Sequence, residues 1–286
     1  MSNLLLKTLF YMDKLNIKQV LLWAKKNLKD SCQRPQFEAE LLLAFHLGKE
    51  RLYLMTHDED EVYDIEKYQE LIQRRAKHEP YEYIVAKASF YDIYLSVEEG
   101  VLIPRPETEL LIDLVSDIIE KEHMTLIAEI GVGSGAISVV LARKFPNLHI
   151  IATDICDTPL KVARKNRDTF GLSKQIELRK SNLIDEVPEP VELVVSNPPY
   201  IAEGFLLESN VIDYEPKEAL FGGKVGDELL KNIILDVKNR GIKYLACEMG
   251  YEQKKPMQDF VSQIGVKYIK FYKDLAGFDR GFLIEF

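Results

Sequence analysis

With 286 residues, 47% of them hydrophobic, the chain can bury one large core or two smaller ones. Its 46 acidic against 37 basic residues leave a net charge of −9, which argues against broad binding to a nucleic-acid backbone and for a protein or small-molecule substrate. Cys32, Cys156 and Cys247 are odd in number, far apart and without metal-type spacing, so reduced thiols in a cytoplasmic protein without a metal are expected.

The apolar amino terminus, Met1–Phe10, is interrupted by Lys7 and followed by no small-residue cleavage site, so neither a signal peptide nor a membrane span is expected. From about Leu15 to Lys77, apolar residues recur at intervals of three and four. The runs are Leu21, Leu22, Ala24 and Leu28, then Ala39, Leu41, Leu42, Leu43, Phe45 and Leu47, then Leu71, Ile72 and Ala76. This pattern predicts a small helical domain over residues 1–80, with Pro35 opening the second helix and Gly48 closing it. The alternating, aromatic-rich stretch from Tyr81 to Val101 predicts a β-hairpin linker over 81–105.

An α/β domain is expected over 106–286. Glu107–Glu122 reads as an amphipathic helix, Leu126–Ile130 as a buried strand, Ser134–Lys144 as a helix and His149–Asp154 as a strand. A helix capped by Thr158, with Pro159 in its first turn, runs towards Thr169. Further strands fall at Gln175–Arg179, Glu192–Ser196, Lys243–Glu248, Val266–Tyr272 and Gly281–Phe286. Strands separated by helix-length segments imply a doubly wound, mostly parallel sheet. The last two strands are too close in sequence for a helical crossover, so they should pair antiparallel.

The segment Gly131-Val132-Gly133-Ser134-Gly135-Ala136 follows the first strand of this sheet and opens a helix, a setting where glycines let a nucleotide approach the backbone. Read as Gly-x-Gly-x-x-Ala it also fits a dinucleotide fingerprint, and Asp154, about twenty residues on, suits a ribose in either case. NAD therefore stands beside S-adenosylmethionine. Room beside Gly135 for an amino-acid carboxylate tail, and an antiparallel final strand, favour the methyl donor. Glu129 lies within a strand, where an unpaired charge is costly, so it meets the donor's amino group or is satisfied by backbone N–H groups. Asp154 has the alternative of a helix-capping or solvated acid. Asn182 touches an adenine edge or is an ordinary turn residue.

Asn197-Pro198-Pro199-Tyr200 directly follows the apolar strand. A planar nitrogen is a poor nucleophile, and it improves when acceptors grip its N–H groups. Asn197 offers a side-chain oxygen and Pro198 a carbonyl, while Pro198 and Pro199 fix φ and hold both acceptors in place. Tyr200 offers an aromatic face to a flat group.

Val101-Leu102-Ile103-Pro104-Arg105-Pro106-Glu107-Thr108-Glu109, the glycine loop, Asn197-Pro198-Pro199-Tyr200-Ile201 and Asp274-Leu275-Ala276-Gly277 together resemble the protein-glutamine methyltransferases of peptide chain release factors, the HemK/PrmC family. The resemblance takes in Glu38-Ala39-Glu40-Leu41-Leu42-Leu43, Glu79-Pro80-Tyr81-Glu82-Tyr83-Ile84 and Tyr214-Glu215-Pro216-Lys217-Glu218-Ala219-Leu220. It implies a seven-stranded class I S-adenosylmethionine-dependent methyltransferase sheet. It also implies methyl transfer to the glutamine amide of the Gly-Gly-Gln loop of class I release factors, with S-adenosylhomocysteine as product. By the same resemblance, Glu129, Gly131, Val132, Gly133, Ser134, Gly135, Asp154, Asn182, Leu183 and Asn197 bind the donor. Asn197, Pro198, Pro199 and Tyr200 hold the target, the first, second and fourth as the catalytic set. Arg105 and Glu107 shape the entrance between the domains or form a surface ion pair, and the helical domain docks the release factor. Tyr214 and Glu215 contact substrate or pack a loop.

Four positions depart from the family: Glu129 and Asn182 replace aspartates, Val132 a threonine and Leu183 a frequent aromatic. Weaker donor affinity is expected from them. The rivals are a nucleic-acid methyltransferase, a ribosomal-protein methyltransferase and a binding module that has lost its chemistry. The acidic balance, the Pro104–Glu109 stretch and the intact motifs count against these in turn. A monomer without stable nucleic-acid or membrane contacts is expected.

Overall fold

The computed structural model describes residues 15–286. The apolar stretch Met1–Phe10 lies outside them. The chain divides into two compact units, one ending at Ala86 and the other spanning Lys87–Phe286.

In the first unit, helices α1 (Ile17–Leu28), α2 (Pro35–Leu47), α3 (Arg51–Thr56), α4 (Ile65–Ala76) and the single turn α5 (Tyr81–Ile84) surround one core, beside a short antiparallel pair, β1 (Leu15–Asn16) with β2 (Glu61–Val62). Asn16 caps α1 through a reciprocal bond with Gln19, satisfying two backbone donors that a helix start leaves open. Pro35 begins α2, and Gly48, at φ +60°, ends it. The buried stripe of α1 is Ile17, Val20, Ala24 and Leu28, whereas Leu22 is exposed. The fully buried Tyr68 donates its hydroxyl to the Ala39 carbonyl at 2.9 Å, which ties α4 to α2.

The second unit begins with the hairpin β3 (Lys87–Phe90) and β4 (Ile93–Ser96), shorter than the stretch 81–105 because residues 81–84 turn helical. Phe90, Ile93 and Leu95 enter the core of this unit, so the hairpin is part of it. Helix α6 (Glu107–Glu122) precedes β5 (Leu126–Ile130), α7 (Ala136–Lys144), β6 (His149–Asp154), α8 (Asp157–Thr169), β7 (Ile176–Lys180) and β8 (Leu193–Ser196). An insertion follows, with β9 (Ile201–Ala202), α9 (Ser209–Ile212) and β10 (Phe221–Gly223). The chain ends with α10 (Glu228–Asn239), β11 (Tyr244–Glu248), α11 (Lys254–Ile264), β12 (Tyr268–Lys273) and β13 (Asp279–Glu285).

Seven strands form one sheet in the order β12-β13-β11-β8-β5-β6-β7. All neighbours are parallel except β13, which runs antiparallel to both β11 and β12, as the short final connection requires. One face packs on α6 to α8 and the other on α10 and α11. No helix among the described residues is long and apolar enough to cross a membrane.

Asn166, on α8, joins three segments. Its Oδ1 takes the Ser96 N–H at 2.8 Å, and its Nδ2 donates to the carbonyls of Ser96 at 2.9 Å and Ser134 at 2.8 Å. It thus fastens the hairpin and the glycine loop to one buried amide. Asn166→Ala leaves these groups without partners and should destabilise this unit by about 1–3 kcal/mol. A fall in the urea midpoint followed by circular dichroism is expected; an unchanged midpoint contradicts it.

Candidate active site

From β5 the chain continues outward to β6 and β7, while β8 lies on the other side of β5. The carboxyl ends of β5 and β8 therefore flank the point where strand order reverses, the place where open α/β sheets bind ligands. A cavity of about 480 Å³ opens there. From the β5 side it is lined by Glu129, Gly131, Val132, Gly133 and Ser134. Asp154, Asn182 and Leu183 add the wall beyond β6 and β7, and Asn197, Pro198 and Pro199 the wall beyond β8. Gly135, Tyr200, Arg105 and Glu107 do not line it.

The glycine loop is held from β6. The N–H groups of Gly131 and Val132 both donate to the Thr153 carbonyl at 2.9 Å. Asp154 takes the Gly133 N–H on Oδ2 at 3.2 Å and the Cys156 N–H on Oδ1 at 3.0 Å. Burial raises its pKa, and those backbone donors oppose the rise. Gly131 and Gly133 have φ values of +73° and +54°, where a side chain is strained. Gly135, at φ +82°, meets the same backbone requirement, and a Cβ there would only reach ordinary contact with Ala163 on α8, at 3.4 Å from its Cα and Cβ.

Glu129 is almost wholly buried and its Oε2 takes both the N–H (3.1 Å) and the hydroxyl of Ser138. Desolvation nonetheless pushes its pKa up to about 8, and Asp154 adds to the rise. Thr153 donates its hydroxyl to the Leu183 carbonyl at 2.8 Å, and Leu183 sits at φ +47°. Asn182 donates to Asp185 Oδ2 at 3.3 Å, so an aspartate at 182 would face a second carboxylate.

Long-range contacts support the turn after β8. Ser196 donates to the Ile130 carbonyl at 2.8 Å, tying the two strand ends together. Asn197 Nδ2 lies 2.9 Å from Thr108 Oγ1, Thr108 lies 2.7 Å from Glu248 Oε2, and the Tyr200 hydroxyl lies 3.1 Å from Glu248 Oε1. Burial pushes the Glu248 pKa up to about 7. The two hydroxyls and Arg280 favour its charged form, and Glu107 opposes it. Gln253 donates to the carbonyls of Tyr200 and Gly226, both at 2.9 Å. A Cβ on Gly222 would stand 2.4 Å from the Pro199 oxygen, so the backbone of β10 rests directly against the turn. Sequence reasoning missed Thr108, Gly222, Glu248 and Gln253. A charge at the end of the buried strand 244–248 was the visible signal for Glu248.

Arg105 pairs with Glu215, which is buried and also takes the Ile103 N–H at 3.2 Å. Glu215 therefore packs the 103–105 segment. Glu107, partly exposed, lies 3.9 Å from Arg280.

Sheet order and site place the second unit in the class I S-adenosylmethionine-dependent methyltransferase fold. Solved structures agree in fold: the hMettl16 catalytic domain in complex with a MAT2A 3'UTR hairpin, at TM-score 0.56 and 19% identity, covers 67% of this chain and 76% of its own. The N-terminal domain of human METTL16 in complex with SAH follows at TM-score 0.50 and 21% identity, over 67% of this chain and 76% of that one. Residues 19–85 match the PrmC N-terminal domain family, and 107–213 the methyltransferase small domain family. A release factor glutamine methyltransferase of Dictyoglomus turgidum is 40% identical over 80% of this chain and 83% of its own. Another, of Clostridium botulinum, is 36% identical over 86% and 90%. The chain belongs to the release factor glutamine methyltransferase family.

Gly222→Ala should displace the Pro199 carbonyl and lower turnover by on the order of a hundredfold, the usual result of misplacing a site by about 1 Å. A steady-state assay with near-normal turnover contradicts this. Glu129 keeps its proton in the folded state up to about pH 8, whereas the unfolded chain releases it near 4.5. Its contribution to stability is therefore complete below 4.5 and is lost as pH rises through about 8. The stability of Glu129→Gln relative to wild type should rise across that window in urea titrations. A difference independent of pH contradicts it.

Proposed function

We propose that this enzyme transfers the methyl group of S-adenosylmethionine to the side-chain amide nitrogen of the glutamine in the Gly-Gly-Gln motif of class I release factors, yielding S-adenosylhomocysteine and supporting translation termination in the cytoplasm. One observation carries the reading: Asn197, which lines the cavity together with Pro198, commits its Nδ2 to Thr108 and so keeps Oδ1 as its acceptor. The names of the relatives support the same substrate.

The cavity suits the donor in charge and shape. Asp154 and Glu129 bring two acidic groups to a cationic ligand, whose positive charge favours the ionised form of Glu129 over the neutral form that burial imposes up to about pH 8, and the positive-φ glycines leave the loop backbone open to it. In this reading Asp154 holds the ribose, Glu129 the amino group, and Asn182 with Leu183 the adenine. When bound, the donor supplies an electrophilic methyl group on a positively charged sulfur.

An amide nitrogen has almost no basicity, so the residues of the turn act by position. Asn197 Oδ1 and the Pro198 carbonyl accept the two N–H groups and hold the nitrogen roughly 3 Å from the methyl carbon. They also stabilise positive charge as it develops on nitrogen. As the C–N bond forms, the C–S bond breaks, and a proton then leaves the nitrogen for water. Tyr200 steadies the turn through Glu248, and the amino-terminal unit docks the release factor.

Labelled S-adenosylmethionine incubated separately with release factor, ribosomal protein and RNA should mark the Gly-Gly-Gln glutamine. Label in either of the other substrates, with none in the release factor, contradicts the reading. Asn197→Ala should lower turnover by on the order of a hundredfold or more while donor affinity measured by calorimetry changes little. Near-normal turnover in that variant removes Asn197 from the mechanism.

A further inference from the structure

Asn197 can present either of two faces to a substrate, because its oxygen accepts and its NH₂ donates. The groups behind it leave one choice. Its Nδ2 lies 2.9 Å from Thr108 Oγ1, which in turn lies 2.7 Å from Glu248 Oε2. The second carboxylate oxygen takes the Tyr200 hydroxyl at 3.1 Å. Above about pH 7 Glu248 is ionised and has no proton to give, so there the single hydroxyl proton of Thr108 goes to Glu248. Thr108 Oγ1 is then an acceptor for Asn197 Nδ2, and Oδ1 is the atom left for the cavity. Thr108 is 4% exposed and Glu248 1%, so bulk water does not substitute for either partner.

We propose that Thr108 and Glu248 form a polarity relay that makes Asn197 a hydrogen-bond acceptor, and thereby selects a carboxamide over a carboxylate at the same place. The inference rests on the reading of Asn197 as the holder of the target amide. Glu248 is a positioning residue that acts through Thr108 and Asn197; Thr108 acts through Asn197 in the relay and also lines the cavity, so the Glu248 variant is the one that tests the relay alone.

Glu248→Gln preserves shape and reverses direction. The Tyr200 hydroxyl donates to the new amide oxygen, the new NH₂ donates to Thr108, the Thr108 proton turns to Asn197 Oδ1, and Asn197 presents Nδ2. A glutamate side chain, which only accepts, gains from this exchange, and a glutamine loses. Thr108→Val breaks the relay without changing volume much, while Thr108→Ser keeps it.

The test is calorimetric titration of release factor carrying glutamine or glutamate at the target position into enzyme saturated with S-adenosylhomocysteine, buffered well above the pKa of Glu248. Wild type and Thr108→Ser should favour glutamine. Glu248→Gln and Thr108→Val should narrow that preference by on the order of tenfold, the equivalent of one misdirected hydrogen bond. An unchanged ratio in both variants, whatever happens to overall affinity, overturns the relay. Asn197→Ala separates the two levels. Loss of preference there, with preference retained in the relay variants, removes the relay alone; preference retained in Asn197→Ala removes the reading of Asn197 and the relay with it.

Discussion

Glu248, buried at the end of β11, stands behind the turn that follows β8. A desolvated carboxylate is tolerated only when donors surround it, and here the Thr108 and Tyr200 hydroxyls do so. Above about pH 7, where it is ionised and can only accept, it gives the whole chain of hydrogen bonds one direction, ending at Asn197. The prolines then hold that direction still. Backbone packing from Gly222 and the two bonds from Gln253 close the turn on its other side.

The sheet shows the same division along its central strands. Ile127, Ala128, Val194, Val195, Leu245 and Ala246 are fully buried and apolar, and they make a rigid middle. Polarity collects at the carboxyl ends, in Glu129, Ser196 and Glu248, all nearly inaccessible to water. Such conflicts between residue type and environment are expected where a site is built into a fold. Two of these acids carry raised pKa values for one reason, burial, yet they face different tasks. Glu129 borders the cavity, whereas Glu248 reaches it only through Thr108 and Asn197.

Much of the second unit was legible because its signals are local. The spans Glu107–Glu122, Leu126–Ile130 and His149–Asp154 agree with their patterns, since strong amphipathic or apolar runs decide these elements with little tertiary help. The antiparallel final strand followed from the length of one connection. What stayed hidden depends on partners far apart in sequence. Thr108 meets Glu248 across 140 positions and Asn197 across 89, and Asn166 joins Ser96 across 70. No periodicity encodes such pairs. Gly131, Gly133 and Gly135 mark the opposite limit: the local motif is legible in sequence, and all three adopt the positive φ that glycine tolerates best. Leu22 matched a helical spacing yet lies exposed, because the stripe of α1 is set by Ile17, Val20, Ala24 and Leu28.

Transfer to so weak a nucleophile therefore rests on geometry and on acceptors fixed before the substrate arrives. The most direct test is a crystal structure of the enzyme with S-adenosylhomocysteine and a release factor bound. The account predicts the glutamine amide nitrogen within about 2.7–3.2 Å of both Asn197 Oδ1 and the Pro198 carbonyl. A glutamine whose nitrogen is held by another group, with Asn197 turned away from it, contradicts the account.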